Sequence, residues 1–136
     1  MTKLIIVTHG PLAEAFKESG AMFFGEQVDQ IATIGLFPTK SPEMLEKEIK
    51  DAVVQSGTKD CLIFVDILAG TPFNVVALLI DELKEEYQIE CFAGVNMPLV
   101  MEALASKDSM GVTELTDHIG KMAADTIVNL RQTLEI

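Results

Sequence analysis

Four short apolar runs recur along the chain, Lys3 to Val7, Gln30 to Gly35, Cys61 to Val65 and Glu90 to Val95. Their richness in Ile, Val, Leu and Phe reads as buried strands. Each is followed by a helical signal. Gly10-Pro11 opens a segment in which Leu12, Ala15, Phe16, Ser19, Met22 and Phe23 share one face, and Gly25 closes it. Ser41-Pro42-Glu43 starts the next, with Leu45, Ile49, Ala52 and Val53 as its stripe and Gly57 as its stop. Thr71-Pro72 reads as a cap followed by proline at the first helical position, ahead of Phe73, Val76, Ile80 and Leu83. Asn96-Met97-Pro98 precedes a helix through Ala105, and Thr113 is expected to cap another containing Leu115, Ile119, Met122 and Ala123. The tail from Ile127 to Leu130 either extends that helix or forms a fifth strand.

Strands alternating with helices through short connections call for a mostly parallel sheet with helices on both faces, because right-handed crossovers place them there. The expectation is a doubly wound α/β fold of order 2-1-3-4, with a C-terminal edge strand as the fifth. No repeat, linker or low-complexity segment divides the chain, so residues 1–136 read as a single domain. The one charge cluster, Asp81-Glu82 to Glu86, falls at the solvated end of a helix.

A formal charge of −11 then narrows the partners. Nucleic acid and anionic lipid are engaged through Lys and Arg clusters, so neither suits this surface, while basic protein surfaces do. No apolar stretch approaches the roughly 20 residues needed to cross a bilayer, and Met1-Thr2-Lys3 opens no signal-peptide pattern. The expected setting is the cytoplasm, without membrane insertion. Cys61 and Cys91 each lie in an apolar run and read as buried, reduced and inert.

In such folds ligands bind beyond the carboxyl ends of the strands, where the strand order reverses. For the order 2-1-3-4-5 that crevice lies between strands 1 and 3. Thr8-His9-Gly10 follows strand 1 and Asp66 follows strand 3, so a histidine and a carboxylate converge there from 57 positions apart. A carboxylate that accepts a hydrogen bond from Nδ1 leaves the Nε2 lone pair free to act as a nucleophile and steadies the positive ring that results. Helix starts at Gly10-Pro11 and at Thr71-Pro72 would aim backbone N–H groups at the same point, which makes Gly10, Gly70 and Thr71 the candidate phosphate-binding set. This chemistry requires neither metal nor cofactor. The blander reading makes His9 a helix cap and Asp66 a turn residue; their joint placement at the switch point argues against it. His118, among Thr116, Asp117 and Gly120, reads as a surface residue without an evident partner.

At these residues the chain resembles the mannose-family enzyme IIA of the bacterial sugar phosphotransferase system. The resemblance is carried by Thr8-His9-Gly10, by Gly25-Glu26-Gln27, by Val65-Asp66 leading to Gly70-Thr71-Pro72-Phe73-Asn74, and by Ala93-Gly94-Val95-Asn96-Met97-Pro98. It implies that His9 accepts a phosphoryl group from the phosphocarrier HPr and hands it to a IIB protein, which phosphorylates the sugar as membrane permease components carry it. It also implies Asp66 as the histidine's partner, and a homodimer in which the C-terminal segment crosses to the neighbouring sheet. The usual Gly-Gly-Ser-Pro segment reads Ala69-Gly70-Thr71-Pro72 here, and a frequent Thr after the aspartate is Ile67. Thr71 keeps the hydroxyl, whereas a side-chain donor at position 67 is lost. With no IIB sequence after Ile136, a free-standing IIA is expected.

Three other readings compete. The phosphohistidine subunit that serves dihydroxyacetone kinase resembles the same family, but the intact Thr71-Pro72-Phe73-Asn74 and Gly94-Val95-Asn96-Met97-Pro98 motifs favour the sugar system. A signalling receiver phosphorylated on Asp66 needs an acidic pair after strand 1, where Thr8-His9 stands. A flavin module wants a run of hydroxyl residues there, and only Thr8 is supplied.

Overall fold

The strands form because their side chains are apolar on both faces of the pleat. In the computed structural model, which describes all residues from Met1 to Ile136, they are β1 (Lys3–His9), β2 (Ile31–Leu36), β3 (Asp60–Val65) and β4 (Gln88–Ala93). All neighbours are parallel and the order is β2-β1-β3-β4. The predicted sheet is present as a four-stranded one.

Six helices accompany it: α1 (Leu12–Phe24), α2 (Pro42–Val54), α3 (Thr71–Leu83), α4 (Met97–Ser106), α5 (Val112–Met122) and the short α6 (Leu130–Leu134). Strand alternation divides the core into two halves. Leu4, Ile6, Leu62 and Phe64 point toward α1, α4 and α5, while Ile5, Val7, Ile63 and Val65 point toward α2 and α3. Each such fully buried side chain contributes about 1.5–3 kcal/mol of transfer free energy, and together they fix the sheet on which the site is built. No helix is long and apolar enough to cross a membrane.

Helix starts follow local chemistry only in part. Ser41 caps α2 by accepting from the Met44 N–H at 3.2 Å, with Pro42 at the first position. Asn96 caps α4 by accepting from the Leu99 N–H at 3.1 Å. Two expected caps are corrected. Gly70, not Thr71, occupies the cap of α3, and Thr113 lies inside α5, which begins after Gly111. Its cap arrives from the sheet, where Asp60 Oδ2 accepts from the Val112 N–H at 2.9 Å.

Helix α1 is also rotated relative to the predicted face. It buries Ala13 and Gly20, with Phe16 and Phe24 partly covered, and leaves Leu12, Met22 and Phe23 in solvent. Two attachments set that rotation. The buried Thr8 hydroxyl accepts from the Ala13 N–H at 2.8 Å, and Gly20 is small enough to lie against Val28. Small residues permit close approach, so they win the inward face over larger apolar ones. Helix α3 is turned by a smaller amount, burying Pro72, Val75, Val76 and Leu79 with Phe73, Ile80 and Leu83 at the margin.

The tail pairs with no strand of its own chain. Ile127 and Asn129 have extended backbones, but no strand forms in this chain, and residues 130–134 coil into α6. Ile127, Val128, Leu130 and Leu134 stand exposed. Both cysteines are free; burial pushes both thiols up, Cys91 to about 12, so neither ionises at neutral pH.

The cap of α5 can be tested directly. Asp60→Ala removes the acceptor and is expected to lower stability by about 0.5–2 kcal/mol in urea denaturation, whereas Thr113→Ala costs less. A larger loss from Thr113→Ala would return the cap to the helix's own sequence.

Candidate functional site

His9 is the last residue of β1 and Asp66 the first beyond β3, so adjacent parallel strands deliver both to the carboxyl edge of the sheet. The pair predicted from the switch point meets. Asp66 Oδ2 lies 2.9 Å from His9 Nδ1 and also accepts from the His9 backbone N–H at 3.0 Å. One oxygen therefore anchors the ring and the peptide that carries it. The Asp66 side chain is 12% exposed and that of His9 46%, so the carboxylate is sheltered while the ring reaches solvent.

The protonation pattern follows. Burial pushes the Asp66 carboxyl up, but the two hydrogen bonds from His9 and the charge of its ring outweigh that and hold it below the ordinary value. An ionised carboxylate only accepts hydrogen bonds, so Nδ1 carries a proton, and in the neutral ring Nε2 is the nitrogen with the lone pair. The other oxygen, Oδ1, is buried without a partner.

Around the ring the predicted phosphate set divides. Thr71 lines the same cleft as His9, and its hydroxyl is not spent on capping. The first intrahelical bond of α3 runs from the Asn74 N–H to the Gly70 carbonyl, which leaves the Thr71 and Phe73 N–H groups at the helix start without intrahelical partners. Gly70 contributes by being small: a Cβ there would sit 3.1 Å from His9 Cε1. Gly10 lines the cleft with φ +58°, but its N–H donates to the Leu36 carbonyl at 2.7 Å. At the start of α1 the Ala13 N–H is likewise occupied by Thr8. Helix α3 is thus the better source of free donors.

Ala69 has φ +63°, a left-handed conformation costing a non-glycine residue about 1–2 kcal/mol. It lies in the turn that connects Asp66 to α3.

The cleft has a volume of about 480 Å³ and a second wall that sequence reasoning missed, made by Phe37, Pro38 and Lys40 after β2. Gly35 makes that wall possible, since a Cβ there would collide with the Gly10 carbonyl oxygen and approach the Phe37 ring to 2.7 Å. A glycine ending an apolar strand was the available signal. His118 also has a partner that was not foreseen: its Nε2 lies 2.7 Å from Glu102 Oε1, joining α5 to α4, and that bond holds the Glu102 carboxyl below its ordinary value. Neither residue belongs to the His9 cleft.

A parallel α/β sheet that pairs a histidine with a carboxylate at its switch point is an arrangement able to support nucleophilic histidine chemistry. Comparison with known proteins makes this specific. A family profile described as "PTS system fructose IIA component" matches residues 3–120, and the chain belongs to that fructose and mannose type of IIA components of the sugar phosphotransferase system. It is 29% identical over 132 residues to the sorbose-specific EIIA component of Lacticaseibacillus casei, spanning 97% of this chain and 93% of that protein. The fructose-specific EIIA component of Bacillus subtilis is 29% identical over 136 residues, spanning 99% and 90%. The crystal structure of a phosphotransferase system EIIA component from Streptococcus agalactiae superposes with a TM-score of 0.89 at 28% identity, covering 97% of this chain and 99% of that one. Family membership makes the chain a phosphotransferase component of sugar uptake.

The depressed Asp66 carboxyl carries a sign. Its contribution to stability is complete above the unfolded value near pH 4 and is lost as pH falls through the lower folded value. In urea titrations, the stability gap between the parent chain and Asp66→Asn is expected to be level at neutral pH and to close below about pH 4. A gap unchanged into strong acid would show that Asp66 is not ionised against His9.

Proposed function

We propose that His9 is phosphorylated by phospho-HPr and passes the group to a IIB component, in the cytoplasm, during sugar uptake. The observation that carries this reading is the Asp66 contact, which leaves Nε2 as the only free ring nitrogen of a histidine that lines the cleft together with Thr71. In the forward step the Nε2 lone pair forms the N–P bond while the bond from phosphorus to the donor breaks, its electron pair leaving with HPr. The ring becomes positive, and the Asp66 carboxylate opposite Nδ1 stabilises that charge. The Thr71 hydroxyl and the N–H groups opening α3 supply donors to the phosphoryl oxygens. Transfer to IIB reverses the geometry with a new acceptor.

The test uses phosphoenolpyruvate, enzyme I and HPr. One acid-labile, base-stable phosphoryl group is expected on His9, with none on His9→Ala and onward transfer to a IIB protein. Asp66→Ala is expected to remain folded by circular dichroism and to accept phosphate about 10- to 100-fold more slowly in rapid-quench experiments, from the roughly 1.5–3 kcal/mol of a charge-assisted hydrogen bond. Asp66→Asn should fall between, keeping an acceptor without the charge. Labelling of His118 or Asp66 instead of His9 would defeat the reading.

The same proposal includes a homodimer. The extended backbone around Ile127, the exposed Ile127, Val128 and Leu130, and the unpaired outer edge of β4 support exchange of this segment between two chains. Light scattering at micromolar concentration is expected to give a dimer that weakens on truncation after Ala124; a monomeric intact chain would remove the basis for exchange.

A further inference from the structure

We infer that Lys40 is a phosphoryl-binding residue of the His9 cleft, its ammonium stabilising the group carried on Nε2. The inference rests on the proposed phosphorylation of His9. Lys40 is the one cation among the residues lining the cleft that contains His9 and Thr71. It is not a free surface lysine. Its Nζ donates to the Gly35 carbonyl at 2.6 Å, lies 2.9 Å from Glu48 Oε1 and stands 5.9 Å from the Phe37 ring centroid, and the side chain is only 16% exposed. The Gly35 carbonyl takes one of the three ammonium donors and Glu48 faces the others through both oxygens, Oε2 at 3.0 Å, so a phosphoryl group would compete with Glu48 for them.

Electrostatics give this cation a task. A phosphoryl group carries about −1.5 to −2 charges and would form beside the Asp66 carboxylate in a chain whose net charge is already −11. The start of α3 offers partial charges only. Glu48 offsets part of the Lys40 field, but at 44% exposure it is more strongly screened than the ammonium it holds. The rival role is structural: by covering the Gly35 carbonyl, Lys40 would merely protect the outer edge of β2.

The two roles separate by phosphorus NMR of the phosphorylated full-length chain. Lys40→Gln is expected to raise the pH at which the phosphoryl group takes its last proton, because the cation favours the dianion. It should also shift the phosphoryl equilibrium with HPr about three- to tenfold toward phospho-HPr, and Lys40→Arg should restore both. Glu48→Gln, which leaves the lysine in place, is expected to move the titration the opposite way and keeps the test decisive if Lys40→Gln does not fold. A wild-type chain that takes no label on His9 would defeat the underlying reading. A labelled wild type with unchanged titration and equilibrium in these variants, whatever their melting temperatures, would overturn the role of Lys40 alone.

Discussion

The site depends on one acceptor atom. Asp66 Oδ2 receives the backbone N–H of His9 and lies within hydrogen-bond distance of its Nδ1, so the peptide and ring of the same residue are tied to a neighbouring strand. A bond to the ring alone would leave χ1 and the local backbone free to exchange compensating rotations. A bond to the backbone alone would leave the tautomer undetermined. Both together fix which nitrogen carries the proton in the neutral ring and hold that ring in place, and they require β1 and β3 to end in register, as the pairing of Val7 with Val65 arranges.

Other features maintain that register. Thr8 turns its hydroxyl inward to hold α1, so the residue before His9 is committed to the helix that follows it. Gly10 continues the ladder to β2 through the Leu36 carbonyl. The His9 peptide is therefore held from before, from after and from the side, and its exposed ring projects from a fixed base. Placing the histidine on a strand end gives precision that a free loop would not.

The strands, their parallel order and the meeting of His9 with Asp66 were legible because they follow from apolar runs, short connections and the switch-point rule. Less legible were contacts whose partner lies far along the chain. Asp60 capping a helix 52 residues later looks like an ordinary strand-edge carboxylate in the sequence. Thr8, read as part of a ligand turn, proved to be buried and to set the rotation of α1, and a periodicity count that rewards large apolar residues placed Met22 and Phe23 inside when Ala13 and Gly20 were the ones that fit. Lys40 was passed over because charged residues in a loop normally face water; its capture by a carbonyl and a carboxylate is a tertiary event. The tail stayed ambiguous because the residues that would cover a sheet edge are apolar in either outcome.

A phosphoryl carrier faces a constraint that an enzyme acting on a small substrate does not. It must accept the group from one protein and surrender it to another, so tight binding of the bound state would trap it, and stabilisation is useful mainly where charge develops during transfer. The geometry suits that requirement. On the proposed chemistry the carboxylate would answer the ring's developing positive charge from behind, at Nδ1, without a hydrogen bond to the phosphoryl group itself. Donors at the start of α3 would meet the phosphoryl oxygens from one side without enclosing them, and the 46% exposure of His9 leaves the ring open to solvent for a partner's approach. An enclosed cage of arginines would bind phosphate more strongly and would block the second acceptor. On the proposed chemistry, an open cleft with one sheltered carboxylate and one tethered lysine would hold the group less tightly than such a cage and leave room for the second acceptor.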